Sequence, residues 1–464
     1  MKTHFTIWFL VLLVACINET SFAQTNVSIS GKSNYGQEGT ISIYNDSFGV
    51  FTSIIATTDV NKSGDFQFKF NITKPQVVRL FNRPFYISPG DSVFVNASGG
   101  SLYYPQKLDF KGRNADPYIY AMKYDSLKTA LNYKFFEYDF KDKLIRYLEL
   151  LDANKKILLN NLDDFSKSHS LSNDFKAYYL NQIVYAYYGQ LLFPLSSNKY
   201  PMEAVPPIYS AIIDQIKLNQ DNMANKEEYE SVAIQLINYK KKKSNENKLE
   251  LINDNATGLT KEFLLTHYAN SLISSYTPKD SLVTKELFEK IDAGVIDPEI
   301  KKSFNLLKDQ FNKYLTSFSE EVLLTALMDS IGNKLTFKDL LEKSKNKIIV
   351  FDFWASWCGP CRVGMPKVNK LKKGLNNPEV VFVFISIDDT ESDWRGGLKN
   401  TKIPGNHYWI ASKSKSALAK YFEIRSIPRY VIINKTGKIE KFNAWGPEPG
   451  EYGIMSQLTK LLSL

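Results

Sequence analysis

The chain has 464 residues, of which 44% are hydrophobic and 14% aromatic, and its formal net charge is +9. This length exceeds what one core usually holds and predicts two or three domains, and the composition excludes a collagen-like or disordered protein. The densest positive run, Lys240 to Lys243, lacks any accompanying zinc-finger, RNA-binding or helix-turn-helix motif. We interpret it as a solvated helix face or helix end and expect no nucleic-acid partner.

The first residues have the pattern of an export signal. Lys2 precedes an apolar run over residues 5–15, which is too short to span a bilayer as a mature helix but suits the h-region of a secretory signal. Two processing routes remain open. Signal peptidase would remove residues 1–23, whereas cleavage at a lipobox-like site would remove residues 1–15 and leave Cys16 lipidated. Both predict a protein of the periplasm or cell envelope, with membrane contact only through a lipidated Cys16.

The next part of the chain, residues 24–113, has a β pattern. Asp65–Phe70 alternates apolar and polar residues, as a half-buried strand does. The segments 61–64 and 88–91 carry the residues of turns between such strands. We predict a small antiparallel β-sandwich domain here.

Residues 114–316 change to a helical pattern. Leu144, Leu148 and Leu151 recur at the spacing that places side chains on one helix face. The many tyrosines of this region are interpreted as core residues with a polar tip rather than as a binding surface. We predict an α-helical domain to which no catalytic motif can be assigned.

Residues 317–464 alternate between strand and helix patterns and predict an α/β domain. Such an alternation followed by a hairpin indicates a mixed central sheet with helices on both faces. The predicted elements are strands 348–353, 380–387, 430–433 and 439–442 and helices 358–375, 414–421 and 451–462.

The cysteines point to chemistry rather than to structural cross-links. Once Cys16 is removed or lipidated, the chain retains Cys358 and Cys361. A disulfide that closes so short a loop constrains the unfolded chain little and stabilises weakly. A tetrahedral zinc site needs about four ligands, and His169, His267 and His407 lack partner spacing, so we expect no metal. The pair follows a buried strand and opens a helix, which favours redox chemistry over an inert disulfide.

The helix start assigns a role to each sulfur. Unpaired N–H groups and the helix dipole favour a thiolate at the tip, and Pro360 suits the first turn. Cys358 is therefore expected to be exposed and to attack the substrate disulfide, while Cys361, one turn later, is expected to be buried and to resolve the mixed disulfide. Asp352, a carboxylate inside an apolar strand, is the candidate proton acceptor. The alternative is that Asp352 faces solvent.

The segment Phe351–Arg362, with Trp357-Cys358-Gly359-Pro360-Cys361 at its centre, resembles the thioredoxin superfamily. Together with Met365-Pro366 and the export pattern, it is similar to the TlpA/ResA-like branch of exported thiol–disulfide oxidoreductases, here with a long N-terminal extension. The resemblance covers about the last 150 residues and implies a C-terminal thioredoxin-like fold.

The same resemblance implies the remaining site residues. A cis proline faces the active cysteine in this family, and Pro428 stands in the matching place, with the Ile427 backbone free to pair with substrate. We assign substrate binding to Trp357, Gly359, Pro360 and Ile427, and catalysis to Cys358, Cys361, Asp352 and Pro428. Two positions depart from the TlpA pattern. Gly364 replaces a common Glu, so any role of that Glu is absent or moved, and Asp352 replaces a common Asn, which favours a dithiol reductant.

These observations predict an exported enzyme that reduces disulfides of envelope proteins, with a membrane thiol donor and no cofactor beyond the Cys358–Cys361 disulfide. The alternative is an envelope binding protein whose N-terminal domains recognise a partner, the redox domain being accessory. A thiol peroxidase is a weaker alternative, because peroxidatic cysteines lack this Trp-Cys-x-x-Cys helix arrangement.

Overall fold

The computed structural model describes residues 26–35, 38–45, 54–131, 143–196, 202–218, 227–276, 281–401, 404–410, 416–424 and 426–463. The predicted export signal and Cys16 lie outside these residues. The chain divides into two compact units, Met1–Asn245 and Glu246–Leu464, and the domain limits given above stay predictions. None of the helices in the described ranges is long and apolar enough to cross a membrane.

The N-terminal part of the first unit is a sandwich of two sheets. Its described strands are β1 (Val27–Ser33), β2 (Gly39–Asn45), β3 (Ile54–Val60), β4 (Asp65–Phe70), β5 (Gln76–Leu80), β6 (Arg83–Ile87), β7 (Ser92–Gly100) and β8 (Pro105–Arg113). They are ordered β4-β1-β7-β8 in one sheet and β3-β2-β5-β6 in the other. The predicted sandwich is confirmed, and β4 buries Phe66, Phe68 and Phe70 on one face as its alternation indicates.

One strand pair differs from the predicted antiparallel arrangement. β1 and β7 run parallel, with Ser28 opposite Ser92. Parallel neighbours need a crossover connection. Here the chain from β1 to β7 passes through β2 and β3 of the other sheet, β4 of the same sheet, and β5 and β6 of the other sheet. The prediction of a purely antiparallel sandwich is therefore wrong at this pair.

The remainder of the first unit is helical, as predicted. Its described helices are α1 (Asp116–Ala130), α2 (Lys143–Ser168), α3 (Asn173–Ser196), the 3-10 turn Met202–Ala204, α4 (Pro207–Asp214) and α5 (Glu227–Lys243). The predicted stripe Leu144, Leu148 and Leu151 is buried on α2. The lysine run forms the last turn of α5, where positive charge complements the helix dipole. Lys242 Nζ donates a hydrogen bond to the Leu195 carbonyl at 2.6 Å.

The second unit begins with helices and continues as an α/β fold. The described elements are α6 (Lys248–Asn255), α7 (Gly258–Ser275), α8 (Ser281–Gly294), α9 (Pro298–Leu315), α10 (Glu320–Leu323), β9 (Ala326–Asp329), β10 (Lys334–Thr336), α11 (Phe337–Lys343), β11 (Ile348–Trp354), α12 (Gly359–Leu375), β12 (Val380–Ser386), α13 (Glu391–Thr401), β13 (Asn406–Ile410), α14 (Ala417–Tyr421), β14 (Arg429–Ile433), β15 (Ile439–Ala444) and α15 (Ile454–Leu462).

The sheet of this unit places β11 near its centre, in the order β10-β9-β13-β12-β11-β14-β15. β11 pairs parallel with β12 and antiparallel with β14, so the sheet is mixed, as predicted. Every residue of β11 is buried, which explains its nearly continuous apolar sequence. The chain leaves β11 through a short turn and enters α12. The cysteine pair therefore lies at the start of α12, beyond the carboxyl end of β11.

Candidate active site

Cys358 and Cys361 form a disulfide at the beginning of α12. Cys358 is the residue that caps the helix, and the Cys361 backbone N–H donates to the Cys358 Sγ at 3.1 Å. Pro360 lies in the first turn, where a missing N–H leaves no helical hydrogen bond unmade. After reduction the same N–H groups and the helix dipole would stabilise a Cys358 thiolate.

The burial of the two sulfurs differs from the prediction for Cys358. We expected an exposed Cys358, but only 4% of its surface is accessible, against 1% for Cys361. The reason is that its Sγ is bonded inward to Cys361 and also lies 3.7 Å from the Ile427 carbonyl oxygen. The buried position of Cys361 agrees with the prediction.

The residues expected to contact substrate lie around this disulfide. The Ile427–Pro428 peptide bond is cis, and both residues are half-buried beside Cys358. Trp357 is 66% exposed, Pro360 is exposed and Gly359 is half-exposed. The structure therefore brings Ile427 to Cys358, although the two are 69 positions apart in the sequence.

Asp352 lies inside β11 and is 2% exposed, so the solvent-facing alternative is wrong. Neither carboxylate oxygen has a hydrogen-bond partner among the described residues. Burial raises the pKa of Asp352 well above its usual range, because the charged form loses its solvation. A raised pKa makes the carboxylate a stronger base, as a proton acceptor for Cys361 requires.

Four exposed apolar side chains, here called the apolar rim, lie on the segment that contains the cysteines and on the loop after β15: Trp357, Val363, Trp445 and Tyr452. Trp445 and Tyr452 contact each other edge to face, with ring centroids 5.6 Å apart. The loop that carries them is held to α12 by an ion pair between Lys367 and Glu448 at 2.7 Å. Sequence reasoning missed Val363 on α12, and it missed Trp445 and Tyr452 because their loop is remote from the cysteines in sequence.

The chain matches the thioredoxin-like family profile over residues 346–439. It is also 34% identical over 128 residues to thioredoxin from Ovis aries, an alignment that covers 28% of this chain and 96% of that protein. The chain belongs to the thioredoxin family. Its thioredoxin domain is also 27% identical over 113 residues to the thiol-disulfide oxidoreductase ResA of Bacillus cereus, covering 24% of this chain and 60% of ResA.

The relatives and solved structures named here each match only part of this chain. The chain spans about three fifths of the length of the first curated relatives it matches. Among solved structures, a thiol-disulfide oxidoreductase from Bacteroides fragilis is 23% identical and covers 31% of this chain and 99% of that chain, with a TM-score of 0.26. Among the residues that the structure describes, no group of three or more His, Cys, Asp or Glu side chains is placed to hold a metal ion.

A buried carboxylate that sequence reasoning missed anchors the turn before Cys358. Asp388, fully buried beyond the end of β12, accepts hydrogen bonds from the Ser356 backbone N–H at 2.9 and 3.0 Å and from the Ser356 hydroxyl at 2.7 Å. It also accepts one from the Ser386 hydroxyl at 2.8 Å. The signal that could have revealed it is position: the carboxyl ends of the parallel strands β11 and β12 meet at one edge of the sheet.

Asp388→Asn is expected to lower the free energy of unfolding by about 2 kcal/mol, because an amide group would place a donor against the Ser356 donors inside the protein. Urea denaturation of the oxidised protein would measure this loss. Asp309→Asn on the exposed face of α9 is the matched control and should leave stability nearly unchanged. An equal midpoint for both variants would show that Asp388 does not anchor the turn.

Proposed function

We propose that this chain is an exported thiol–disulfide oxidoreductase that reduces disulfides of cell-envelope proteins. The observation that carries the proposal is the Cys358–Cys361 disulfide at the start of α12, in a chain of the thioredoxin family. The cis Pro428 beside Cys358 and the buried Asp352 of β11 support the same assignment.

In the first step the reduced protein attacks. The Cys358 thiolate displaces one sulfur of the substrate disulfide, so that a mixed disulfide forms and one substrate thiolate leaves and takes a proton from solvent. The helix N-terminus favours the thiolate before attack. The Ile427 carbonyl, 3.7 Å from the Cys358 Sγ, is placed to accept a backbone hydrogen bond from the substrate beside the reacting sulfur.

In the second step the buried sulfur resolves the intermediate. The Cys361 thiol gives its proton to the Asp352 carboxylate, and the resulting thiolate attacks the Cys358 Sγ. The second substrate thiolate leaves and is protonated, and the Cys358–Cys361 disulfide closes. Two electrons have then passed from the protein to the substrate, whose two thiolates take their protons from solvent, and Asp352 returns the Cys361 proton to solvent.

The surroundings of the disulfide support a polypeptide substrate. The described residues that line a cavity of about 1140 Å³ in the same unit include His267, Lys441 and Trp445 but neither cysteine. Next to the reacting pair, Trp357 of the apolar rim is 66% exposed and can pack against side chains that flank a disulfide in another protein. A small-molecule disulfide would not cover the exposed side chains of the apolar rim.

A complete cycle needs a donor of two electrons. The oxidised pair must be reduced by a dithiol partner, and for an exported protein we propose a membrane thiol donor. Export itself is supported by the apolar run over residues 5–15. The direction is supported by the Gly359-Pro360 dipeptide and by the Asp at position 352, which resemble reducing members of the family.

Insulin reduction tests the proposal. In the presence of dithiothreitol, the purified chain is expected to accelerate precipitation of the insulin B chain. Reduced protein alkylated with iodoacetamide is the control and should not accelerate it. A redox titration against glutathione then gives the direction, because about 30 mV corresponds to ~1.4 kcal/mol. If the unmodified and alkylated proteins behaved alike, the proposed function would be wrong.

A further inference from the structure

Tyr430 on β14 stands directly opposite Asp352 on β11. The two are Cα partners in the antiparallel ladder, so their side chains leave the same face of the sheet. Tyr430 is 5% exposed and Asp352 is 2% exposed. The Tyr430 hydroxyl and both Asp352 oxygens lack hydrogen-bond partners among the described residues. A buried donor thus lies beside a buried acceptor in the oxidised protein, although each polar group would gain from a partner.

The Tyr430 hydroxyl also lies against α12, at the helix turn that follows the resolving cysteine. Gly364 follows Cys361 by three residues, one turn along the helix. A Cβ atom at Gly364 would stand 3.3 Å from the Tyr430 Oη, and one at Gly446 would stand 3.8 Å from its ring. The tyrosine therefore fills the space between the Asp352 strand and the helix turn after Cys361.

We propose that Tyr430 is a positioning residue for the proton acceptor Asp352. Its hydroxyl donates a hydrogen bond to the ionised carboxylate, which then accepts the proton of Cys361. The inference rests on the proposed function and adds a residue to its second step. The only proton that moves passes from the Cys361 thiol to Asp352. Tyr430 keeps its own proton, since burial and the neighbouring Asp352 both raise the pKa of its hydroxyl.

The physical effect is on the fraction of Asp352 that is ionised. A hydrogen bond to the charged form of a buried carboxyl favours that form, so the hydroxyl opposes the effect of burial. The other charged group that acts on Tyr430 is Glu448, which is exposed and paired with Lys367. Without the hydroxyl, less Asp352 would be ionised at neutral pH, and the second step would slow while the first would not.

Two rates measured with oxidised glutathione separate these steps. Attack by Cys358 releases one glutathione, and resolution by Cys361 releases the second, so both can be followed between about pH 5 and 9. In Tyr430→Phe we expect the pH midpoint of resolution to rise by about one unit, with resolution about tenfold slower below the midpoint and attack unchanged. Tyr408→Phe, on β13 of the same sheet, is the matched control and should leave both rates unchanged.

The double variant Asp352→Asn/Tyr430→Phe distinguishes positioning from structure. If Tyr430 acts through Asp352, its removal should have no further effect when Asp352 is already Asn. Equal slowing in both backgrounds, or an unshifted pH profile in Tyr430→Phe, would overturn the inference. Failure of the unmodified protein to react with the disulfide would instead overturn the proposed function.

Discussion

Replacing Cys358 by Ser is expected to bring insulin reduction down to the rate measured without protein, a loss of about 10³-fold or more. A serine hydroxyl stays protonated at neutral pH, and an alcohol does not displace a sulfur from a disulfide, whereas a thiolate does so readily. The cap position of Cys358 on α12 would be retained, because Ser is itself a favourable capping residue. The loss would therefore be chemical and not a loss of fold.

Cys361→Ser is the matched variant, and it is expected to fail at a later step. Cys358 would still attack, but no second thiol would be present to release the substrate, so the mixed disulfide should accumulate. Non-reducing electrophoresis and intact mass measurement would detect a covalent adduct that dithiothreitol reverses. Adducts that formed equally well in Cys358→Ser would contradict the assigned order of the two sulfurs.

Much of the thioredoxin domain could be predicted because local patterns encode it. The buried strand Ile348–Trp354 is nearly all apolar, and the helix Gly359–Leu375 begins at a cysteine followed by Gly-Pro. The same segment predicts that Asp352 lies in a strand and that Cys358 and Cys361 lie at a helix start, where the structure has them. Local sequence could not encode the burial of Cys358, because the atom that lies against its sulfur belongs to Ile427.

The elements that were not predicted have weak local patterns. The helix Glu391–Thr401 contains Gly396-Gly397 and many polar residues, so its helical propensity is low and only the packing of Trp394 fixes it in the core. The parallel pairing of β1 with β7 joins segments about 60 residues apart. Tyr430 and Asp388 were missed for the same reason, since each acts across strands that meet only in the folded sheet.

Asp352→Asn is expected to slow the Cys361 step by about 10²-fold while it stabilises the fold at neutral pH. The slower Cys361 step follows from the loss of a positioned general base. The expected gain in stability of the variant follows from the raised pKa of the buried Asp352 carboxyl in the wild type. As the pH rises above ~3.9, the unfolded chain releases this proton and the folded chain keeps it, so wild-type stability falls until the folded pKa is passed. Asn carries no such proton, so this part of the pH dependence should disappear.

Urea denaturation at about pH 3 and pH 7 separates the two effects. At neutral pH the variant should exceed the wild type by on the order of 2 kcal/mol, and the difference should shrink in acid, where both states of the wild type are protonated. Asp309→Asn, an exposed change of the same kind, should show no such pH-dependent gain. If Asp352→Asn both resolved the mixed disulfide more slowly and unfolded more easily than the wild type, the Asp352 carboxyl would have partners that stabilise it in the fold. A more stable variant that resolves the mixed disulfide more slowly would instead show that the buried carboxyl destabilises the fold and serves the Cys361 step.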